Sequence, residues 1–479
     1  KYVNQRTDEY GGSFENRYRF AVEIVKEIKK VCGQDFPVSL RYSVESKTKG
    51  FREGALPGES FTEAGRDMAE SEAAKYLQDA GYDMLNCDNG TYDAWYWAHP
   101  PIYMPENCNL EDVAHIRKFV DIPVVCAGRM DPETAAAAIA DRRIDGAGFA
   151  RQFLADQEWV TKLMNDKEDD IRPCILCHNG CFNMCHYKGV PNDQALSDSL
   201  HLARCAVNAE TMQWEKHKIV PTTSPKKVHI IGGGIGGMEA ARVLKLRGHE
   251  PVIHEQTDHL GGTFIAASAE SYKGKLRDLL TWYRKQMTDL GIEIHYNEKV
   301  ESIDPFAGAP VIIATGAVPR VLKKVPGHEK MVEACEYLTG TPVGEKVAVI
   351  GGGLTGCEIA YELALQGRQP VIVEMKNDLI AQTGVCLANS SYLREWFAWK
   401  KVPVYLETTL QEVKDDSIVC KDASGKEITI PCDSVISSAG YIPHPLVPKS
   451  SNVSLVGDCN GVGNLRSVVW RAYEVAMKI

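Results

Sequence analysis

The sequence lacks long apolar runs and any excess of basic residues. None of its 479 residues falls in an uninterrupted apolar stretch of about 18, the length that would span a bilayer. The first residues, KYVNQRTDEYGG, are too polar for a secretion signal. The net charge is −10, and Lys and Arg lie among acidic residues, so neither nucleic acid nor a membrane is an expected partner. These absences predict a cytoplasmic protein.

The sequence also lacks the cysteine pattern of a disulfide-bonded secreted protein. Of its 15 cysteines, five lie between Cys174 and Cys205, and ten are dispersed, mostly in apolar strand or helix contexts. Dispersed thiols of this kind behave as small buried hydrophobic groups. A cluster beside many unpaired thiols fits a reducing compartment and metal binding.

The clustered cysteines form a metal-ligand pattern. The segment CILCHNGCFNMC places Cys174, Cys177, Cys181 and Cys185 close together, and Cys205 follows in ARCAVN. Four thiolates satisfy either a tetrahedral zinc ion or a 4Fe-4S cluster. The spacing therefore predicts a metal site, and it leaves open both the metal and the fourth ligand, Cys185 or Cys205.

Repeated strand–helix units occupy the stretch from Glu15 to about Asp166. The predicted strands are 38–43, 83–88, 123–128 and 145–150, and the predicted helical segments are 17–30, 63–80 and 134–142. Such units imply an α/β fold with a parallel sheet. A closed TIM (β/α)8 barrel needs eight units, and this stretch supplies four. We therefore expect the C-terminal half of a barrel, with the other units preceding Lys1 or supplied by a second polypeptide.

An internal repeat follows a polar linker at 219–227. Val228–Glu255 aligns without a gap to Val347–Glu374, at an offset of 119 residues and with 15 of 28 positions identical. Each copy reads as a strand, a GxGxxG turn, an amphipathic helix and a second strand that ends in Glu. The sequence therefore predicts two copies of one Rossmann-like unit.

Both copies carry the residues of a dinucleotide site. The glycines allow a tight turn and close approach to a pyrophosphate, which the helix N-terminus then binds. They are Gly232, Gly234 and Gly237 in the first copy and Gly351, Gly353 and Gly356 in the second. Glu255 and Glu374 sit where an acid accepts hydrogen bonds from ribose. Two copies predict an FAD domain and an NAD(P)H domain inserted into it.

Further motifs agree with this assignment. HLGGTF contains Gly262, VIIATG contains Thr315 and Gly316, and VSLVGD ends at Asp458, the expected partner of the FAD ribityl. Glu374 has no Arg beside it, which favours NADH, although Lys376 keeps NADPH possible as a second donor. Flanking flavin modules favour an iron–sulfur cluster, because zinc has no redox chemistry.

The whole chain resembles the 2-enoate reductases and 2,4-dienoyl-CoA reductases, relatives of Old Yellow Enzyme and trimethylamine dehydrogenase. The motifs are NQRTDEYGGSFENRYRF at 4–20, SLRYS around Arg41, CAGRM around Arg129, GFARQFLADQEW at 148–159, RPCxxCxxxC and CAVN. YDAWYWAHPPIY at 92–103 is similar to the 2-enoate reductases and to bile-acid 3-oxo-Δ4 oxidoreductases. The resemblance implies FMN, FAD, a 4Fe-4S cluster and NADH as cofactors, and oxygen sensitivity.

The resemblance also implies domain limits. The expected domains are an FMN-binding barrel part at 1–166, a 4Fe-4S segment and linker at 167–225, the first part of the FAD-binding domain at 226–340, the NAD(P)H-binding domain at 341–440 and the return of the FAD-binding domain at 441–479.

Several site residues follow from the resemblance. Arg41 would face the N1/O2 edge of FMN, and His99 would be the catalytic residue at the substrate carbonyl. The FMN phosphate would be held by Gly128, Arg129, Ala150 and Arg151. The fourth cluster ligand would be Cys205, although the interval from Cys181 is longer than the family's usual spacing. By the same resemblance, the family's proton-donating Tyr would lie on a barrel strand upstream of Lys1.

The function implied is reduction of an activated C=C bond in a 2-enoate or enoyl-type substrate, with electrons passing from NADH to FAD, the cluster, FMN and the substrate. Alternatives within this class are a bile-acid or steroid-CoA 3-oxo-Δ4 oxidoreductase, a 2,4-dienoyl-CoA reductase and an amine dehydrogenase. An alternative of another class is a zinc-containing NADH:flavin electron donor for a protein partner. The expected partner is a small unsaturated acid or acyl substrate, with a homo-oligomer also allowed.

Overall fold

The computed structural model describes residues 3–66, 68–185, 203–382 and 384–479, apart from the side chain at 185. It divides into two compact units. The first comprises Lys1–Ala150 with Leu387–Trp396, and the second comprises Arg151–Cys386 with Phe397–Ile479. Within the described ranges, no helix is both long and apolar enough to cross a bilayer.

The first unit is built on a four-stranded parallel sheet in the order β1-β4-β5-β6. Its strands are β1 (Ser39–Ser43), β2 (Thr48–Gly50), β3 (Glu53–Gly54), β4 (Met84–Asp88), β5 (Val124–Ala127) and β6 (Gly146–Gly148). Its helices are α1 (Phe14–Cys32), α2 (Glu72–Ala80), α3 (Trp95–Ala98), α4 (Leu110–Ile116) and α5 (Pro132–Ala140). The four predicted strands and their parallel pairing are confirmed, because each strand of this sheet lies within one of the predicted runs.

Local capping explains where two of these helices begin. Ser13 accepts a hydrogen bond from the backbone N–H of Asn16 at 3.3 Å at the start of α1. Asp131 accepts one from Thr134 N at 2.8 Å at the start of α5, where Pro132 occupies the first helical position. The helices predicted over 17–30 and 134–142 are therefore confirmed, with ends shifted by a few residues.

The helix predicted over 63–80 is wrong in its first half. The carboxylate of Glu63 accepts hydrogen bonds from the Thr48 hydroxyl at 3.0 Å and from Gly65 N at 2.7 Å. Ala64 N also donates to Thr48 O at 2.8 Å, so this stretch is tied to the β2–β3 hairpin in a non-helical path. Only α2, from Glu72 onward, is free to form the α-helix.

The second unit begins with the cysteine segment and continues into the dinucleotide folds. Its helices are α6 (Arg151–Ala155), α7 (Trp159–Leu163), α8 (Phe182–Cys185), α9 (Ile235–Leu246), α10 (Phe264–Ala267), α11 (Gly274–Asp289), α12 (Ala334–Leu338), α13 (Leu354–Leu365), α14 (Leu387–Lys400, whose first part belongs to the first unit) and α15 (Leu465–Lys478). Its strands are β7 (Lys227–Ile231), β8 (Glu250–His254), β9 (Glu293–His295), β10 (Val311–Ile313), β11 (Ala317–Pro319), β12 (Val332–Glu333), β13 (Lys346–Ile350), β14 (Gln369–Val373), β15 (Val404–Tyr405), β16 (Thr409–Val413), β17 (Ser417–Lys421), β18 (Glu427–Pro431), β19 (Ser434–Ser437), β20 (Tyr441–Pro443) and β21 (Val453–Leu455).

Short 3-10 turns occur in both units. They lie at Met68–Glu70, Arg117–Phe119, Glu168–Asp170, Asp304–Phe306, His328–Lys330 and Gly457–Asn460.

Two five-stranded parallel sheets carry the two dinucleotide folds. Their orders are β21-β10-β7-β8-β9 and β12-β19-β13-β14-β15. The last strand of the chain, β21, pairs with β10 through Val311 and Val453. The second fold is therefore inserted between the strands of the first, as the repeat predicted.

The compact units differ from the predicted domain limits in two places. The first unit ends at Ala150 rather than near residue 166, and Leu387–Trp396, predicted to lie in the NAD(P)H domain, groups with it. In that unit Tyr392 stacks on Tyr103 with ring centroids 5.4 Å apart. Aromatic packing thus draws the start of α14 away from the domain that its position in the chain suggests.

Candidate functional site

The first glycine loop has the geometry of a pyrophosphate cradle. Gly232 has φ 111°, which favours glycine, and a Cβ at Gly237 would collide with the carbonyl oxygen of Gly232. Gly234 caps α9 in an extended conformation, so the helix N-terminus opens towards the loop. The carboxylate of Glu255 accepts a hydrogen bond from Gly233 N at 2.7 Å. The acid is thereby held at the end of β8 beside the loop.

The second glycine loop repeats this geometry. Gly351 has φ 110°, Gly353 caps α13, and a Cβ at Gly356 would collide with the carbonyl oxygen of Gly351. Glu374 accepts a hydrogen bond from Gly352 N at 2.6 Å. The two copies share both the backbone path and the position of the acid.

Lys376 is tied to this acid by its backbone. Its N–H donates to Oε1 of Glu374 at 2.7 Å, while Oε2 accepts from Gly352. Glu374 is buried, and its carboxylate is bonded to the backbone amides of both Gly352 and Lys376, which fixes it beside the second glycine loop.

The remaining predicted FAD residues surround the first loop. A Cβ at Gly262, which has φ 52°, would lie 3.3 Å from Gly234 Cα, so the HLGGTF turn packs against the glycine loop. Thr315 donates from its hydroxyl to the carbonyl of His444 at 2.6 Å, and Gly316 follows with φ 72°.

Asp458 lies on the turn after β21. Its Oδ1 accepts a hydrogen bond from Gly463 N at 3.1 Å, and burial raises the pKa of this carboxyl. This hydrogen bond holds the carboxyl just beyond β21, the strand at one edge of the first dinucleotide sheet.

In the first unit, Arg41 projects from β1 beside two polar side chains of β4. Its guanidinium donates to Asn86 and forms an ion pair with Asp88. Burial raises the pKa of Asp88 to about 6, while Arg41 opposes this shift. Arg41 stays half exposed, so a fixed cation is presented at this face of the sheet.

The residues predicted to hold the FMN phosphate differ in whether their side chains are already engaged. Gly128 follows β5 with φ 129°, and a Cβ there would collide with the Asn109 amide. The guanidinium of Arg129 donates to the backbone carbonyls of Ile102, at 2.8 Å, and Met104. Its side chain is therefore engaged by the loop before α4, which leaves backbone N–H groups as the better candidates for a phosphate.

Ala150 and Arg151 fall on opposite sides of the division between the units. Ala150 follows β6 and ends the first unit, whereas Arg151 begins α6 in the second. Arg151 Nη1 lies 2.7 Å from Nε2 of His178, so its guanidinium meets the cysteine segment.

His99 ends the short helix α3. Its N–H donates to Trp95 O at 2.7 Å, and its ring lies 5.9 Å from the Trp95 ring. The neighbouring Trp97 is buried and donates from Nε1 to Ala55 O at 2.7 Å. Trp95 thus supports the His99 ring directly, and Trp97 anchors the short helix that carries both residues.

The structure adds a carboxyl that sequence reasoning missed. Tyr96 donates a hydrogen bond of 2.5 Å to Glu395, and burial raises the pKa of Glu395 to about 7. Glu395 lies in the part of α14 that belongs to the first unit. The sequence does contain one sign of this packing, the aromatic run SYLREWFAWK. A helix with so many aromatic residues has more apolar surface than a helix at the periphery of a domain usually exposes.

The four predicted cluster cysteines line one pocket in the second unit. Its thiol residues are Cys174, Cys177, Cys181 and Cys205, and the apolar residues that share the lining are Leu154, Ile175, Ala206 and Val207. Burial raises the pKa of Cys177 to about 11 and that of Cys181 to about 12, and nearby thiols add to both shifts. The tertiary structure brings a distant thiol to a local CxxCxxxC loop.

Close backbone contact explains how Cys205 reaches the pocket. Arg204 N donates to Gly180 O at 2.7 Å, and Trp470 Nε1 donates to Cys205 O at 2.8 Å. The alternative ligand, Cys185, has its side chain outside the described residues. Cys205 is therefore the fourth thiol that the described part of the chain places at the pocket.

The second unit contains two nested dinucleotide folds, and the first unit contains a parallel sheet built from repeated β/α units. Together these features define the class of the protein, a flavin-dependent oxidoreductase that uses NAD(P)H. Comparisons with known families agree. The pyridine nucleotide-disulphide oxidoreductase model matches residues 226–462, and the NADH:flavin oxidoreductase / NADH oxidase model matches residues 1–170.

Individual relatives cover the whole chain. A cinnamate reductase of Clostridium sporogenes is 41% identical over 100% of this chain and 71% of its own length. An NADH oxidase of Thermoanaerobacter brockii is 30% identical over 100% of this chain and 72% of its own. The solved structure of a 2-naphthoyl-CoA reductase in complex with 2-naphthoyl-CoA superposes with a TM-score of 0.84 at 27% identity, over 100% of this chain and 71% of that one. The chain belongs to the 2-enoate reductase and 2,4-dienoyl-CoA reductase family.

Proposed function

We propose that this protein is an NADH-dependent ene-reductase that reduces the activated C=C bond of a cinnamate-like 2-enoate. The identity of 41% to a cinnamate reductase, over the whole of this chain and 71% of that enzyme, carries the proposal. The two glycine loops and the parallel sheet would supply the dinucleotide and flavin sites that such a reaction requires, which supports the proposal. An enoyl thioester is the second substrate class, favoured by the likeness to the 2-naphthoyl-CoA reductase.

The cysteine pocket fits a 4Fe-4S cluster held by Cys174, Cys177, Cys181 and Cys205. All four thiols line the same pocket, and its other walls are largely apolar, which suits a redox centre shielded from water. Arg151 and His178 share the lining and place a cationic group beside the thiols.

FAD, NADH and FMN would each be held by a different part of the chain. FAD would be held by the first glycine loop with Glu255 and Asp458, and NADH by the second with Glu374. FMN would lie at the C-terminal ends of β1, β5 and β6, where the four-stranded sheet would be part of a TIM-type barrel. When bound, FAD would convert a hydride into single electrons, the cluster would transfer those electrons one at a time, and FMN would deliver a hydride to the substrate.

The protein's own residues would prepare this chemistry. Arg41, fixed by Asp88 and Asn86, offers a positive charge to the flavin edge that becomes anionic on reduction. His99, supported by Trp95, would hydrogen-bond the carbonyl or carboxylate oxygen of the substrate and so polarise the double bond. The acid at Glu374 favours the two free hydroxyls of NADH over the phosphate of NADPH.

Anaerobic NADH oxidation tests this function. Holoenzyme with both flavins would be assayed with cinnamate, a 2,4-dienoyl-CoA, 2-naphthoyl-CoA and a 3-oxo-Δ4 steroid. We expect cinnamate-dependent oxidation and one saturated acid formed per NADH. A holoenzyme that reduces only a thioester or steroid would change the substrate class, and one that reduces none would overturn the proposal.

The nature of the cluster has its own test. Iron and acid-labile sulfide near four per chain, lost in Cys205→Ser and retained in Cys185→Ser, would support the four named ligands. Stoichiometric zinc without sulfide would instead support the electron-donor alternative.

A further inference from the structure

Three side chains at one edge of the first dinucleotide sheet form a cluster that the reaction does not use. They are His254 at the end of β8, His295 at the end of β9 and Glu298 just beyond. One nitrogen or oxygen of each lies within 4.8 Å of the other two. We propose that they bind a divalent transition-metal ion of the zinc class.

The distances suit a shared ion. Oε2 of Glu298 lies 3.0 Å from Nδ1 of His254 and 2.8 Å from Nδ1 of His295. Ligand atoms of a tetrahedral zinc ion are about 3.3 Å apart, given metal–ligand bonds of about 2.0–2.1 Å. Small side-chain rotations would therefore admit the ion between the three atoms.

The nitrogen of His254 that faces Glu298 is buried and poorly aligned with its nearest acceptor. His254 is 4% exposed, and its buried Nδ1 lies 3.0 Å from the Glu298 carboxylate without the alignment of a regular hydrogen bond to any group in the described part of the chain. A buried polar atom usually has a partner. A metal ion at this position would satisfy it.

Both imidazoles also have the outer support that is common at metal sites. His295 Nε2 lies 2.8 Å from Oε1 of Glu293, which matches a carboxylate–histidine–metal arrangement. His254 Nε2 lies 2.9 Å from Nδ1 of His229. Each ring is thus oriented through one nitrogen and presents the other to the cluster.

The cluster is open to solvent on the side of His295 and Glu298. His295 and Glu298 are about half exposed, with 45% and 41% of their side-chain surfaces accessible. On the other side, Phe306 stacks on His229 with ring centroids 4.3 Å apart and lies 4.8 Å from His254. The fourth position would therefore be taken by water from the open side.

The ion would connect directly to the FAD fold. Glu255 N donates to His295 O at 2.9 Å, and Glu298 N donates to Glu255 O at 2.9 Å. Two of the proposed ligands thus hold the backbone of the acid placed at the ribose. An ion that joins β8 to β9 would stabilise this end of the sheet.

Zinc binding to the anaerobic holoenzyme tests the site. Zn²⁺ content after equilibrium dialysis would be compared between wild type, His295→Ala and Glu298→Gln, with His259→Ala as the control at an exposed neighbouring histidine. We expect wild type and the control to retain about one more zinc per chain than the two variants. Zinc should also raise the midpoint of thermal unfolding in wild type and the control but not in the variants.

Two checks separate this site from other outcomes. X-ray absorption of the extra zinc should show nitrogen and oxygen ligands, whereas sulfur ligands would assign it to thiols and overturn the proposal. Equal zinc content in wild type and the near-isosteric Glu298→Gln variant, with equal FAD content as proof of folding, would show a hydrogen-bonded cluster only.

Discussion

Gly180 lies directly against the backbone of Cys205. A Cβ at Gly180 would come within 2.6 Å of the carbonyl carbon of Cys205 and within 2.5 Å of the next amide nitrogen. This contact joins the CxxCxxxC loop to a cysteine that is 24 residues from Cys181 in the sequence. It is the structural reason why a distant thiol can complete the pocket.

Gly180→Ala should therefore weaken the metal site. The added methyl group must push the two backbones apart, and displacement of a ligand's supporting structure typically costs about 10- to 100-fold in metal affinity. We expect faster iron loss to a chelator. Gly274→Ala is the matched control, because a Cβ there meets nothing closer than an Arg277 nitrogen at 3.9 Å. Equal iron loss in both variants would contradict the prediction.

Substitution of the glutamate at each glycine loop should affect one nucleotide site and leave the other unchanged. Each carboxylate accepts a hydrogen bond from its own loop, and a hydrogen bond to a charged group contributes roughly 1.5–3 kcal/mol. Glu374→Gln should raise KM for NADH about 10-fold or more with FAD content unchanged. Glu255→Gln should instead lower FAD retention on dialysis. The reverse pattern would exchange the assignments of the two folds.

A buried ion triad connects the two dinucleotide folds of the second unit. Lys273 lies 2.8 Å from Glu358 and 3.1 Å from Glu270, and it is almost fully buried. Lys273→Met would leave two buried carboxylates without their cation, which typically destabilises a protein by about 3–5 kcal/mol. We expect a clear loss in the midpoint of thermal unfolding.

Lys275→Met is the control for this change. Lys275 is 43% exposed and pairs with Asp278 at 3.3 Å, and such surface pairs contribute about 0–1 kcal/mol. A similar loss of stability in both variants would show that the buried triad stabilises the protein no more than a surface ion pair does.

Glu395 should make stability depend on pH. Burial raises its pKa from 4.5 to about 7, so the folded protein keeps this proton over a range where the unfolded chain releases it. This contribution is complete below pH 4.5 and is lost as pH rises towards about 7. Glu395→Gln, which stays neutral, should lose less stability than wild type between those limits. Parallel pH profiles of thermal unfolding for the two proteins would refute this.

Sequence alone was sufficient where a pattern is local. Gly232 and Gly351 were predicted as turn residues from GxGxxG, and they adopt nearly the same φ because the same short-range geometry is repeated. The four N-terminal strands were likewise predictable, since each buried strand is one apolar run. The predicted roles of His99 and Arg41, and of Cys205 as the fourth cluster ligand, came from family resemblance, whereas Cys174, Cys177 and Cys181 were also predicted from their spacing. All of these roles remain predictions.

Only the tertiary structure decided what depends on contacts between distant residues. Glu63 is fixed by the β2–β3 hairpin rather than by its own helical periodicity, and Arg129 turns to the carbonyls of Ile102 and Met104. Tyr96 meets Glu395, and His254 meets Glu298, although no local pattern links either pair. Local spacing determines which conformation a segment prefers, whereas packing determines which side chains share a site, because burial and hydrogen bonding act through space.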